Sequence, residues 1–80
     1  MNPDAIATKV RDFLEGYVLG EHFADDDNLF NLGLINSLMA MQMVMFLEKE
    51  FAVKFTNDEL NLANFSSVDS ITHLLATRQT

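Results

Sequence analysis

The sequence predicts an all-α fold, and three observations carry that expectation. Apolar residues recur at helical spacing near both ends: Ile6, Val10, Phe13, Leu14 and Tyr17, then Val68, Ile71, Leu74 and Leu75. Between them Met39 to Phe51 runs without a helix breaker. The one stretch that alternates like a strand, Phe51-Ala52-Val53-Lys54-Phe55, has no second strand to pair with.

Each element has its own local grounds. Pro3 suits a first helical position, with Asn2 as cap and Asp4 on the positive end of the dipole. The first helix is expected over about residues 3–18, ended by Gly20. Residues 20–36 hold Gly20, three aspartates, Asn28, Asn31 and Gly33, and read as a long loop anchored by Phe23, Leu29, Phe30, Leu32 and Leu34. Loops of that length in a small domain usually serve function. A second helix is expected from Ser37 to Phe51, capped by Asn36, with Ala40, Val44, Leu47 and Phe51 as its core stripe and Met41 and Met45 flanking it. Residues 52–65 read as irregular, with Thr56 capping a short turn through Asp58, Glu59 and Leu60. Phe55, Leu62 and Phe65 are expected to pin that stretch to the core. Ser66 or Ser67 then caps a last helix with Asp69 in its first turn and Arg78 at its negative end. The sum is three main helices, one short helix and a long first loop, in one domain spanning residues 1–80.

Composition narrows the function. An 80-residue chain hides about 60–65% of its unfolded surface, so its core is small. There is no cysteine, hence no disulfide and no thiolate metal site. No signal-peptide pattern and no apolar run of about 20 residues is present, which points to the cytoplasm. Asn64-Phe65-Ser66 fits the glycosylation pattern and is read as chance. Met1 and the polar end Thr77-Arg78-Gln79-Thr80 read as natural termini, and a monomer is expected. A formal net charge of −7 argues against nucleic acid and anionic membrane, and favours partners with basic patches. That charge is uneven. Residues 21–36 carry −4 from Glu21, Asp25, Asp26 and Asp27, whereas residues 37–55 are neutral. The aspartates do not make a calcium loop, because Phe30 stands where such a loop needs glycine.

Ser37 is the centre of interest. It falls where the turn-rich loop meets the long apolar helix, with its hydroxyl expected in solvent. As a nucleophile it would need a base and an oxyanion hole. His22 and His73 sit in no recognisable motif, Gly-x-Ser-x-Gly is absent, and so short a helical chain is not expected to hold a pocket of several hundred Å3. As a site of modification it fits better, since a phosphoryl group there meets the free N–H groups and dipole of a helix N-terminus. Serine is also a common helix-start residue, and the local residues alone favour that plain reading slightly.

The wider pattern shifts the balance. Leu29-Phe30-Asn31-Leu32-Gly33-Leu34-Ile35-Asn36-Ser37-Leu38 resembles the attachment region of acyl and peptidyl carrier proteins, in which a leucine- and glycine-containing loop precedes Asp-Ser-Leu at the start of the second helix. The resemblance extends over essentially the whole chain, including Leu47-Glu48-Lys49-Glu50-Phe51 and the capped last helix. It implies an acyl-carrier-like four-helix bundle without catalytic activity. A phosphopantetheinyl transferase would move 4′-phosphopantetheine from coenzyme A onto Ser37, with Gly33, Asn36 and Leu38 as motif neighbours. Acyl or aminoacyl groups would then ride on the arm's thiol as thioesters, delivered by a loading enzyme and used by downstream synthases. Such an arm supplies the thiol that the chain lacks, and tethering raises the cargo's effective concentration.

Two departures from the family pattern matter. Asn36 replaces the usual aspartate; it caps a helix about as well but removes a charge beside Ser37. The second helix is not acidic but rich in methionine. Met39, Met43 and Phe46, with Gln42, form an apolar line away from the core stripe, expected to face partners while the acidic loop steers their approach. Ile35, Leu34 and Ala40 surround Ser37 and either touch the arm or anchor the loop, anchoring being favoured for Leu34. The resemblance points to a dedicated carrier of polyketide, nonribosomal-peptide or related biosynthesis. The alternative is a helical interaction domain whose Ser37 stays bare and which acts through its second helix.

Overall fold

A computed structural model describes residues 2–18 and 20–77. The first helix, α1 (Pro3–Glu15), begins where Asn2 Oδ1 accepts the Asp4 N–H at 2.8 Å. Ile6, Val10 and Leu14 are buried, as their spacing predicts. The helix stops short of the expected residue 18. Gly16 and Tyr17 donate back three residues, to Phe13 and Leu14, so the last turn tightens. Tyr17 thereby leaves the buried face. It is exposed, with its ring 4.9 Å from that of Phe13.

The second helix, α2 (Ser37–Glu50), and the third, α3 (Val68–Thr77), complete the α-helical set. A short 3-10 helix, Leu62–Phe65, lies between them. No strand occurs among the described residues. α3 packs on α1 and beside the 3-10 helix. Phe13 of α1 stacks on Phe46 of α2 with ring centroids 4.5 Å apart. Lys9 reaches the Glu50 carboxylate at 2.8 Å, and that hydrogen bond holds its ammonium pKa above the ordinary lysine value. Ser67 is the cap of α3: its buried Oγ accepts the Ser70 N–H at 3.0 Å. Val68, Ile71 and Leu75 are buried and Leu74 is half-buried. Arg78 lies outside the described residues.

The connections correct several expectations. The turn after Thr56 exists, but Glu59 fastens it by accepting the Thr56 N–H at 2.8 Å. The short helix itself comes later, over Leu62–Phe65, where Asn61 Oδ1 accepts the Asn64 N–H. Phe55 and Phe65 meet edge to face at 5.4 Å and are buried. Leu62, expected to pin this stretch, is 55% exposed. In the long first loop Phe23 and Leu29 are buried, Phe30 and Leu34 are half-buried, and Leu32 points to solvent. Its aspartates act as fasteners. Asp25 takes the Arg11 guanidinium, which also donates to the Phe23 carbonyl at 3.1 Å and lies 4.5 Å from the Phe23 ring. Asp27 accepts the Ala24 N–H at 2.7 Å.

Beyond α2, Ala52 takes a left-handed φ of 54°, and the Val53 N–H donates to the Glu48 carbonyl at 3.1 Å. This is the helix closure in which glycine is the usual residue, because a Cβ costs roughly 1 kcal/mol there. Ala52→Gly is therefore expected to stabilise the chain by about 0.5–1 kcal/mol in urea unfolding. An unchanged or lower midpoint would mean that Ala52 is unstrained.

Candidate functional site

The geometry around Ser37 is set from behind, by Leu29. This side chain is fully buried. Its N–H donates to the Ser66 carbonyl at 2.7 Å, and its carbonyl accepts Leu34 N–H at 3.0 Å and Ile35 N–H at 3.4 Å. Nearby, Asp69 N–H donates to the Asp25 carbonyl at 2.9 Å. The loop is thus fastened twice to the start of α3.

Leu29 to Leu32 make one helical turn. Gly33 closes it with φ of 74°, its N–H donating to Phe30 and the next N–H to Leu29. The left-handed φ is why glycine is needed here: the space beside it is open, so the constraint is the backbone alone. Leu34 is half-buried against the core, as favoured for an anchor, and Ile35 is buried within it. The chain then extends through Asn36, whose Oδ1 accepts the Met39 N–H at 3.0 Å while its carbonyl accepts Ala40 N–H. Ser37 follows as the exposed first residue of α2, beside Leu38, which is 66% exposed. The N–H groups of Ser37 and Leu38 have no intrahelical acceptor, as at any helix start.

α2 does not present the face that its sequence suggests. Met43 is 1% exposed and belongs to the core with Ala40 and Leu47. Met39 and Phe46 are half-buried and packed against that core. Of the apolar line expected to face partners, only Gln42 is exposed. The Phe46 ring is committed to its stack on Phe13 and so belongs to the fold, not to a free surface. Val44 and Phe51, expected in the core stripe, are half-buried. The exposed apolar residues are instead Leu38, Met41 and Met45, together with Leu60 and Leu62 opposite.

All of these but Leu38 border an open, largely apolar groove of about 330 Å3. Ser37, Met41, Val44 and Met45 line it on the α2 side, and Leu60, Leu62 and Phe65 line it across. The expectation that so short a chain has no room for such a volume is corrected. The space lies on the surface, between α2 and the stretch leading into the 3-10 helix, and so takes nothing from the core. Met41 and Met45 were within reach of sequence reasoning, since they follow Ser37 at intervals of four. Leu60 and Leu62 were not, because their exposure depends on how the turn at Thr56 is tied. Neither histidine lines this groove. His22 borders a second, more polar one with Arg11, Glu15 and Asp27, and His73 is exposed on α3. From Ser37 to Leu47, α2 carries no charge, whereas the loop before it holds four carboxylates.

A family model described as a phosphopantetheine attachment site matches residues 4–75, most of the chain. No match was found among curated proteins. No helix among the described residues is long and apolar enough to cross a membrane.

The cap geometry separates two roles of residue 36. Asn36→Ala removes the acceptor of the Met39 N–H and is expected to cost about 1 kcal/mol in urea unfolding. Asn36→Asp keeps the acceptor, adds a charge at the positive end of α2, and is expected to match or exceed the natural chain by about 0.5 kcal/mol at low salt. Equal stability of the alanine variant would contradict the cap.

Proposed function

The chain belongs to the phosphopantetheine-attachment family, and from that premise we propose that Ser37 bears its 4′-phosphopantetheine. The observation that carries this reading is where Ser37 stands: first in α2, exposed, held by the Asn36 cap, and inside the matched span. Family members carry the arm covalently and work with a phosphopantetheinyl transferase and with biosynthetic enzymes.

In the transfer, Ser37 Oγ bonds to the phosphorus that bears pantetheine while the bond from that phosphorus to the nucleotide half of coenzyme A breaks. The hydroxyl proton passes to the partner enzyme, and adenosine 3′,5′-bisphosphate leaves. The unpaired N–H groups of Ser37 and Leu38 and the positive end of α2 favour the resulting phosphodiester anion. When bound, the arm supplies a thiol for thioester chemistry. The chain's residues anchor it and leave the reactions of the cargo to other enzymes. The lack of a histidine in the groove beside Ser37 supports that division. So does the helix-start position, which exposes the hydroxyl without supplying a base.

The matched span and the shared core support reading residues 1–80 as one carrier domain in a three-α-helix, one-short-helix version of the four-helix carrier bundle. The uncharged stretch of α2 from Ser37 to Leu47 supports partners that meet this helix through apolar contact, with the acidic loop steering approach. On that ground we assign the carrier to specialised biosynthesis of the polyketide or nonribosomal-peptide type.

The test is intact-protein mass after incubation with coenzyme A and a broad-specificity phosphopantetheinyl transferase, beside a Ser37→Ala control. The expected result is a gain matching phosphopantetheine in the natural chain and none in the control. A gain that persists in the control would move the attachment to another residue. A natural chain that stays bare both in this assay and when isolated from its host would favour an interaction domain acting through α2.

A further inference from the structure

The chain has five methionines and no cysteine, so its oxidisable sulfur is all thioether. The methionines of α2 fall into two groups. Met43 is buried in the core and Met39 is packed against it. Met41 and Met45 are 66% and 68% exposed, and belong neither to the core nor to the layer packed on it. Both stand on the ridge that Ser37 begins, because positions 37, 41 and 45 lie one above another on an α-helix. Side chains lean toward the N-terminus of their helix, so both thioethers tilt up the groove toward Ser37. A transferase that approached the Ser37 hydroxyl along this side would cover them.

We propose that Met41 and Met45 form a paired oxidation site whose substrate is a peroxide, and that their conversion to methionine sulfoxide switches off the apolar groove and slows enzymes acting at Ser37. The thioether sulfur attacks one peroxide oxygen. An S–O bond forms and the O–O bond breaks; sulfur loses two electrons, the proton on the bonded oxygen passes to the departing one, and that oxygen leaves as water. A methionine sulfoxide reductase, drawing on thiols, reverses the step.

The consequence follows from polarity. Each sulfoxide places a strong hydrogen-bond acceptor on a wall where Ala40 and Val44 are apolar and the Ser37 hydroxyl stands only at its head. Covering that acceptor with an apolar surface lowers affinity by about tenfold. The fold is spared, because neither side chain supports the core. Oxidation of Met43 would instead disrupt packing. The effect on Ser37 rests on its proposed role as the attachment residue, while the effect on the groove does not.

The experiment uses the full chain titrated with hydrogen peroxide. Peptide mass mapping locates each added oxygen, circular dichroism follows the fold, and Nile red fluorescence reports the groove. Transfer from coenzyme A by a broad-specificity transferase reports Ser37. Met41 and Met45 are expected to gain oxygen before Met39 and Met43, with the helical spectrum and unfolding midpoint unchanged. Nile red binding and transfer rate should both fall about tenfold and return with the reductase. The double variant Met41→Leu/Met45→Leu should keep its own untreated values under the same peroxide. The pair Met41→Gln/Met45→Gln should show the loss without peroxide. Early oxidation of Met43, full probe binding after Met41 and Met45 are oxidised, an equal loss in the leucine pair, or no probe binding by the untreated chain would each overturn the proposal. If the untreated chain accepts no arm, the Ser37 reading fails, and the probe titration alone upholds or overturns the oxidation switch at the groove.

Discussion

The loop that leads to Ser37 hangs from one buried side chain. Leu29 is fully enclosed, and both its backbone groups are committed: the N–H to Ser66 ahead of α3, the carbonyl to Leu34 and Ile35 on the way to α2. A loop of this length could wander, since each added residue increases the conformations it must surrender. The peg at Leu29 restrains it near Ser37, and the Asp69 to Asp25 hydrogen bond restrains it further back. Gly33 then turns the chain, Ile35 enters the core, and Asn36 starts the helix. Ser37 is thus displayed on the surface by a loop pinned from inside at Leu29 and Ile35, while Gly33 and Asn36 set its turn and its helix start from the exposed side.

The same economy governs the acidic loop. Three of its four carboxylates come from consecutive aspartates. Asp25 grips Arg11 and Asp27 stiffens a turn, so part of the negative charge is structural wiring. Exposed ion pairs of this type add little stability singly. Their use here is directional: Arg11 brings α1, the Phe23 ring and the loop to one place.

Much of this was legible in the sequence where the signal is local. Asn2, Asn36 and Ser67 cap helices because a short polar side chain beside a helix start can reach an N–H a few residues on, and nothing distant competes with that bond. The centres of the buried faces of α1 and α3 follow from spacing, whereas Tyr17, which the same spacing put on that face, is exposed because the last turn of α1 tightens. α2 defeats such reading. It is apolar nearly all round, so periodicity cannot tell Met43, which is buried, from Met45, which is not. The neighbours decide: Phe13 claims Phe46, the core claims Met43, and the ridge of Met41 and Met45 is left facing a groove. Leu60 and Leu62 were illegible for the same reason, as their exposure is set by the Glu59 and Asn61 fastenings of the turns around them. For the candidate site, the motif around Ser37 was readable from residues 29–38 and the ridge of Met41 and Met45 from its spacing, while the far wall of the groove was not.

A carrier of this kind works by separating two tasks. On the proposed reading, the protein fixes the Ser37 hydroxyl at a helix start, where an attached phosphodiester is electrostatically favoured. The arm, once joined, supplies reach and a thiol. Asn36 keeps the geometric half of the usual aspartate's contribution and gives up its charge. The most direct test of the central claim is tandem mass spectrometry of peptides from the chain isolated from its native host. The account predicts phosphopantetheine on the peptide spanning Ser37, with the fragments assigning it to that residue. The arm on any other residue, or a chain that carries none in its host, would contradict it.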